Sequence, residues 1–223
     1  MNIVVCISQT PDTTTKVTVD DDGKHIATKG VKFILNPYDE FAVEEGLRLR
    51  EANGGSVTLL NVGSDAAKET IRLGLAMGAE KAILIKDEEK ADSFSVAKKL
   101  ASVLSDMNPD LILLGRQSID YDSAQMGPAL AEMLDMPSVS FVSKLEIDGA
   151  TIRAERDIEG GKEVVETSLP CVITAQKGLN DPRYPKLPDI MKAKSKPIEE
   201  KEAEAVAPRV EPVALKMPIQ PWL

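Results

Sequence analysis

The sequence predicts an α/β fold: a parallel open sheet with helices on both faces, then an antiparallel extension and an extended C-terminal arm. Three observations predict it. Unbroken apolar runs at residues 3–7, 82–85 and 111–114, and a mainly apolar one at 57–62, read as strands buried on both faces, as in a parallel sheet. Helical segments separate them, so the order β-α-β-α-β-α-β-α implies right-handed parallel crossovers. After Pro137 the pattern changes to strand-like stretches joined by Asp148-Gly149 and Glu159-Gly160-Gly161 turns.

The first strand, IVVCI, exits into a polar loop at residues 8–12, and residues 17–27 read as an exposed hairpin turning at Asp21-Asp22-Gly23. Asn36-Pro37 starts a helix: Asn as N-cap, Pro at the first helical position, and Asp39 and Glu40 in the first turn against the positive dipole end. That helix runs to about Glu51 and ends at Asn53-Gly54-Gly55. After the second strand, Ser64 is expected to cap a helix whose stripe is Ile71, Gly74, Leu75 and Gly78, with the glycines allowing close packing on the sheet at some propensity cost. Asp92 or Ser93 caps the next helix, where Val96, Leu100, Val103, Leu104 and Met107 form a 3.6-residue stripe. Asn108-Pro109 stops it. The fourth strand ends at Gly115, and a helix is expected over 124–134. Residues 141–147, 151–157 and 163–168 form the antiparallel extension, and 171–175 is an apolar strand able to rejoin the main sheet. The chain therefore divides into an α/β domain at 1–176, a Pro-rich segment at 177–200 with Arg183, Tyr184 and Leu187 exposed, and a charged, Pro-rich arm at 201–223 that contains Trp222. Such an arm is either disordered or ordered on a partner.

Composition narrows the function. Aromatic residues make up only 4 % of the 223 residues, so the core is aliphatic, and a net charge of −9 argues against a nucleic-acid backbone or an anionic membrane as partner. No apolar run is long enough to span a bilayer, and the N-terminus reads as a strand rather than a signal peptide. Cys6 and Cys171 sit in apolar runs with no disulfide or zinc spacing, which fits a reducing compartment, the cytoplasm or a mitochondrial matrix. One histidine, His25, in a DDDGKH turn, leaves no nucleophile–base pair for Ser or Cys catalysis. The acidic clusters at 20–22 and at Asp120/Asp122 lack calcium geometry. The chain reads as a binder or carrier rather than a stand-alone catalyst.

The candidate binding site is the stretch 110–127, DLILLGRQSIDYDSAQMG. A buried strand, a polar loop and a helix start form a standard nucleotide position in an open α/β sheet, beyond the carboxyl ends of the strands. The loop lacks a P-loop or dinucleotide fingerprint. From the residues, two alternatives stay open: a nucleotide or similar anion, or an ordinary polar βα loop.

Six pieces then carry a resemblance: IVVCISQTPDT, LNPYDEFAVEEGLRLRE, ETIRLGLAMGAEKAILI, LLGRQSIDYDSAQMGP, RDIEGG and LNDPRYPKLPDIMKAKSKPIEE. In order and spacing they resemble the small (beta) subunit of electron-transfer flavoproteins, from the first strand to about Ile198. The resemblance implies an adenine nucleotide alpha hydrolase-like sheet, no stand-alone catalysis, and a heterodimer with a large alpha subunit that mainly holds the redox FAD. It implies electrons accepted from acyl-CoA or other flavin dehydrogenases and passed to a quinone oxidoreductase. It also implies a structural AMP in this chain. The residues that match its contacts are Cys6, Asn36, Pro37, Tyr38, Asp39 and Val62, and the loop Gly115, Arg116, Gln117, Ser118, Ile119, Asp120, Tyr121, Asp122, Ser123, Ala124, Gln125 and Met126. Plain capping could also account for Asn36. Tyr38 resembles the aromatic that touches the flavin's dimethylbenzene edge; the alternative is a core aromatic. Arg183, Tyr184, Leu187, Ile190 and Met191 match the loop that docks on dehydrogenases, with Leu187 as its anchor.

Departures accompany the match. Ser8 stands where the family has a lysine, and the tail after Glu200 is shorter and richer in proline. The GRQSIDYDSAQMGP piece also resembles bifurcating members that hold a second FAD in place of AMP and carry hydroxyls at the helix start matching 92–97; here Ser93 and Ser95 are hydroxyls but Val96 and Ala97 are not. A universal-stress-type nucleotide sensor is the alternative of another class, but it would keep a glycine-rich phosphate loop, and an adenylating enzyme would need S-G-G-x-D-S after the first strand.

Overall fold

The computed structural model describes residues 1–87 and 92–217. In chain order the elements are β1 (Asn2–Cys6), β2 (Gln9–Pro11), β3 (Phe33–Leu35), α1 (Pro37–Asn53), β4 (Ser56–Gly63), α2 (Ala67–Met77), β5 (Lys81–Lys86), α3 (Ser93–Met107), β6 (Leu111–Gly115) and α4 (Met126–Leu134). They continue with β7 (Ser138–Asp148), β8 (Thr151–Ile158), β9 (Gly161–Ser168), β10 (Cys171–Ala175), α5 (Leu187–Ala193) and β11 (Ile198–Glu202).

The main sheet has nine strands in the order β11-β5-β4-β1-β6-β10-β7-β8-β9. Pairing is parallel from β11 to β7 and antiparallel from β7 to β9. The alternation of a strand sorts the core into two layers. Ile3, Val5, Leu59 and Leu113 face one way, under α1 and α2, through Val43, Leu47, Ile71 and Leu75. Val4, Leu60, Ile112 and Leu114 face the other way, under α3 and α4, through Leu100, Leu104 and Leu130. Helices on both faces explain why these strands are apolar at most positions, with Thr58 and Asn61 of β4 as buried polar exceptions. Gly74 shows the close packing its sequence suggested: a Cβ there would stand 2.7 Å from Leu59 Cδ1.

From β1 the chain crosses through α1 to β4 and through α2 to β5, away from β6. It then returns through α3 to β6, on the other side of β1. Successive connections from β1 and β6 therefore depart in opposite directions, which opens a crevice at the carboxyl ends of those strands.

Several local expectations are corrected. Ser64 does not cap α2 through its side chain; the cap position is Ala66, whose N–H donates to Ser64 Oγ at 3.3 Å. The loop 116–125 runs further than expected, because Asp122 and Ala124 take positive φ values of 49° and 50°, so α4 begins at Met126 and not at Ala124. The segment 17–27, by contrast, is the hairpin expected: Val19 bridges Ile26, the Asp20 N–H donates to His25 O at 2.8 Å, the Ala27 N–H donates to Thr18 O at 2.9 Å, and the turn is closed by the Gly23 N–H donating to Asp20 O at 2.9 Å. The polar loop after β1 contains a strand, since Gln9–Pro11 pairs with Phe33–Leu35. The segment 198–202 is an edge strand, parallel to β5, across the boundary set between 200 and 201. Trp222 lies outside the described residues.

Candidate functional site

The crevice is built around Asp39. Its carboxylate is buried in the first turn of α1, where Oδ2 accepts the Ser8 N–H at 2.7 Å and the Ser8 hydroxyl at 2.8 Å, and Oδ1 accepts the Gly115 N–H at 2.9 Å. One side chain thus ties the exits of β1 and β6 to the start of α1. Gly115 makes the approach possible, because a Cβ there would meet the Asp39 carboxylate and stand 2.7 Å from Tyr38 Cβ. Burial raises the Asp39 carboxyl to about 6, against hydrogen bonds from Ser8 and Gly115 that lower it. Ser8, where the resembled family has a lysine, anchors Asp39 with neutral donors.

Asn36 is buried at the cap position of α1 but makes no side-chain cap. Its Nδ2 donates instead to Gln117 O at 2.9 Å, joining the helix start to the β6–α4 loop. That corrects the capping alternative. Cys6 ends β1, and burial, helped by the nearby Asp39 charge, pushes its thiol up to about 12, so it offers no thiolate. Val62 lies near the end of β4, the strand beside β1.

The loop residues occupy different settings. Arg116, Gln117, Ser118, Ile119 and Asp120 are half-buried, whereas Tyr121, Asp122, Ser123 and Gln125 are exposed. Gln117 Nε2 donates to Asp122 Oδ1 at 2.5 Å, and Asp120 Oδ1 accepts the Tyr121 N–H at 3.0 Å. The Arg116 guanidinium lies 5.1 Å from the centroid of Tyr38 and 5.4 Å from that of Phe141, and Nη1 donates to Gln176 Oε1 at 3.1 Å. Arg116, Phe141 and Gln176 also line a cavity of about 410 Å³ with Asp157, Ile158 and Glu159. Tyr38 is therefore a half-buried ring on a cation rather than a core aromatic.

Buried oxygens without partners mark the same edge. Among the described residues, Gln9 Oε1, Thr10 Oγ1, Asn36 Oδ1 and Asn61 Oδ1 are buried with no hydrogen-bond partner, as is the more distant Asn180 Oδ1. The Asn61 amide is fixed from the other side, where its Nδ2 donates to Ile7 O at 2.8 Å. Orphaned polar atoms of this kind are costly unless something else meets them. Sequence reasoning missed Asn61, Thr10, Phe141 and Gln176, since each sits inside a strand pattern or a turn with no motif around it.

The second region is α5. Arg72 Nη1 donates to Ala193 O at 2.7 Å, and Lys196 Nζ donates to Leu75 O at 2.9 Å and Ala79 O at 2.6 Å, so its back is fixed on α2. Its front is apolar and open. Leu187 is 73 % exposed and Met191 58 %, with Ile190 beside them and Tyr184 at 92 % just before. Arg183 faces inward. Its guanidinium donates to Glu44 at 2.8 and 3.0 Å and to Glu51 at 2.6 and 3.1 Å, both on α1. Leu187 begins a helical turn instead of projecting from a loop between prolines.

An open, mostly parallel nine-stranded sheet with helices on both faces and a polar-lined edge at its switch point defines the class: an open-sheet α/β domain. No group of metal-ligating side chains occurs among the described residues, and none of their helices is long and apolar enough to cross a membrane. The electron transfer flavoprotein domain model matches residues 24–206. The chain is 45 % identical to the electron transfer flavoprotein subunit beta of Bacillus subtilis over 207 residues, 92 % of this chain and 80 % of that protein. It is 39 % identical to the human subunit of the same name over 204 residues, 89 % and 80 % of the two chains. It is also 40 % identical to Protein FixA of Azotobacter vinelandii over 202 residues, 86 % and 72 %. The chain belongs to the electron-transfer flavoprotein family, as a small (beta) subunit.

Proposed function

We propose that this subunit holds a structural AMP in the crevice between β1 and β6 and docks the electron donor through α5. The observation that carries the reading is the set of partnerless buried oxygens at Gln9, Thr10, Asn36 and Asn61. Acceptor oxygens call for donors, and the adenine amino group and ribose hydroxyls supply them. Backbone N–H groups of the loop 116–125 other than those of Arg116, Tyr121 and Asp122, which donate within the chain, suit the phosphate. Cys6, Asn36, Pro37, Tyr38, Asp39 and Val62 complete the wall. The partner is an alpha subunit that mainly holds the FAD, whose redox chemistry carries the electrons between acyl-CoA or other flavin dehydrogenases and a quinone oxidoreductase. Tyr38, fixed by Arg116, is the aromatic of this chain that meets the flavin edge.

AMP is favoured over a second FAD by the start of α3. The Ser95 hydroxyl donates to Asp92 Oδ1 at 2.7 Å within the cap, so it is committed to the helix rather than offered to a ligand. The test is to denature the purified chain and identify the released nucleotide by mass spectrometry. AMP is expected, FAD would establish the bifurcating reading, and a nucleotide-free chain would remove both.

A further inference from the structure

The arm beyond β11 is pinned to the same edge of the sheet as the crevice. β11 runs parallel to β5 with Glu202 opposite Lys86, so the chain leaves at the carboxyl edge, and the Ala203 N–H donates to Lys86 O at 3.3 Å. Asp92 then holds it. Asp92 Oδ1 accepts the Ser95 N–H at 2.9 Å as the cap of α3, while Oδ2 accepts the N–H groups of Arg209 at 2.8 Å and Val210 at 3.0 Å. The Arg209 guanidinium lies 3.7 Å from the centroid of the Phe94 ring. Further on, the Leu215 N–H donates to Gly23 O at 2.8 Å, at the turn of the excursion that leaves β1 through β2.

The two attachments belong to different strands of that edge. One stands at the helix that follows β5, the other on the excursion that follows β1, and β4 lies between those strands. Adjacent strands are about 4.8 Å apart, so β5 and β1 are separated by about 10 Å. The five peptide steps from Val210 to Leu215 reach up to about 17 Å. The arm therefore runs from the start of α3 to the excursion after β1, which are the β5 and β1 sides of β4.

The attachments are polar and few. Val213 is 87 % exposed and Val210 68 %, so little apolar area holds the segment down. A stretch fastened mainly by hydrogen bonds opens at low cost compared with the core. Its latch is durable at ordinary pH: although burial raises the Asp92 carboxyl, the bonds from Ser95, Arg209 and Val210 carry it down to about 2.

We propose that residues 203–217 are a strap along the β4 flank of the crevice, on the side of Asn61 and Val62, that controls how fast the adenine nucleotide leaves it, with Asp92, Phe94 and Arg209 as its latch. The proposal rests on the nucleotide reading above. Its test is the release of labelled AMP from the full chain into excess unlabelled AMP. Arg209→Ala with Val210→Pro removes the ring stack and one latch N–H while leaving the α3 cap intact. Release about tenfold faster is expected, with the melting temperature of the nucleotide-free protein unchanged. A second measurement needs no variant: AMP should slow tryptic cleavage after Arg209 in the wild-type chain. A wild type that holds AMP but shows neither effect overturns the strap alone. A wild type that holds no AMP overturns the nucleotide reading, and the strap with it.

Discussion

The crevice and α5 break the ordinary rules of burial in opposite directions. Around β1 and β4, polar oxygens are buried and unmet. On α5, Leu187, Ile190 and Met191 are apolar and uncovered. A fold tolerates either feature where a second molecule resolves it: a small polar ligand for the first, a protein face for the second. The difference also concerns rigidity. The crevice is welded by Asp39, Asn36 and Gly115 across three elements, whereas α5 is a short helix clipped from behind to α2. A perturbation of the crevice should therefore act on folding and ligand together, and one at α5 on docking alone.

Gly115→Ala tests the weld most severely. The new methyl meets the Asp39 carboxylate and Tyr38 Cβ, neither of which can retreat without moving the start of α1. A loss of about 3 kcal/mol in the denaturant midpoint analysis is expected, with loss of bound nucleotide. Stability within about 0.5 kcal/mol of wild type would show that the crevice yields, and that it differs less from α5 than its hydrogen bonds imply.

Asp39 tests the same weld through pH. Its carboxyl stands at about 6 in the fold, above the ordinary 3.8, so the fold disfavours the charged form. Protonation favours the fold; the contribution is fully present below the unfolded value, falls as pH rises through about 6, and is flat above that. The window is wide enough for an effect of up to about 3 kcal/mol. Measured as the wild-type unfolding free energy minus that of Asp39→Asn, the difference should decline between pH 4 and pH 6. A difference that rises over that window would show that the three donors outweigh burial.

Leu187→Ala tests the other side of the comparison. The side chain is 73 % exposed, so its removal should leave the melting temperature and nucleotide content unchanged. An anchor filling a pocket on a dehydrogenase typically contributes about 2 kcal/mol or more. The dissociation constant of the dehydrogenase complex, by calorimetry or electron-transfer titration, should therefore rise about thirtyfold. Loss of stability with normal docking would make Leu187 a packing residue.

These two regions were unequally legible in the sequence. The parallel strands and the α3 stripe were readable because double-sided burial leaves continuous apolar runs and a helix face leaves a 3.6-residue period. Ser64 was misread as a cap because the helix start is set by the chain's path from β4, not by the nearest hydroxyl. The start of α4 slipped to Met126 because left-handed backbone at Asp122 and Ala124 extends the loop, and neither residue signals it as glycine would. The strand β11, IEEKE, carries no apolar run; only its edge position beside β5 makes it a strand. At the crevice, Gly115 and the loop were visible as a pattern. The tie from Ser8 to Asp39 spans 31 residues and the orphaned Asn61 sits inside a strand, so both emerge only when the sheet is assembled.

Arg183 gives the smallest effect and the finest test of the boundary between the two regions. The sequence groups it with the docking residues, yet its guanidinium reaches Glu44 and Glu51 of its own α1. Glu44 is nearly buried, so the pair is more than a solvated surface contact, although Arg183 itself remains about one-third exposed. A bidentate, partly buried pair of this kind contributes about 1 kcal/mol. Arg183→Ala should lower stability by about that amount and weaken docking modestly, because the tether between α1 and the residues leading into α5 is cut. The partners on α1 separate tether from contact. If Arg183 acts by holding the segment, Glu44→Gln with Glu51→Gln should weaken dehydrogenase binding as much as Arg183→Ala does, and combining all three should add little. If Arg183 instead touches the dehydrogenase, neutralising the two glutamates should leave binding intact or strengthen it by freeing the cation. In that case α5 and its approach would form one continuous docking face, and the division between a welded interior and an open surface would move to the far side of Arg183.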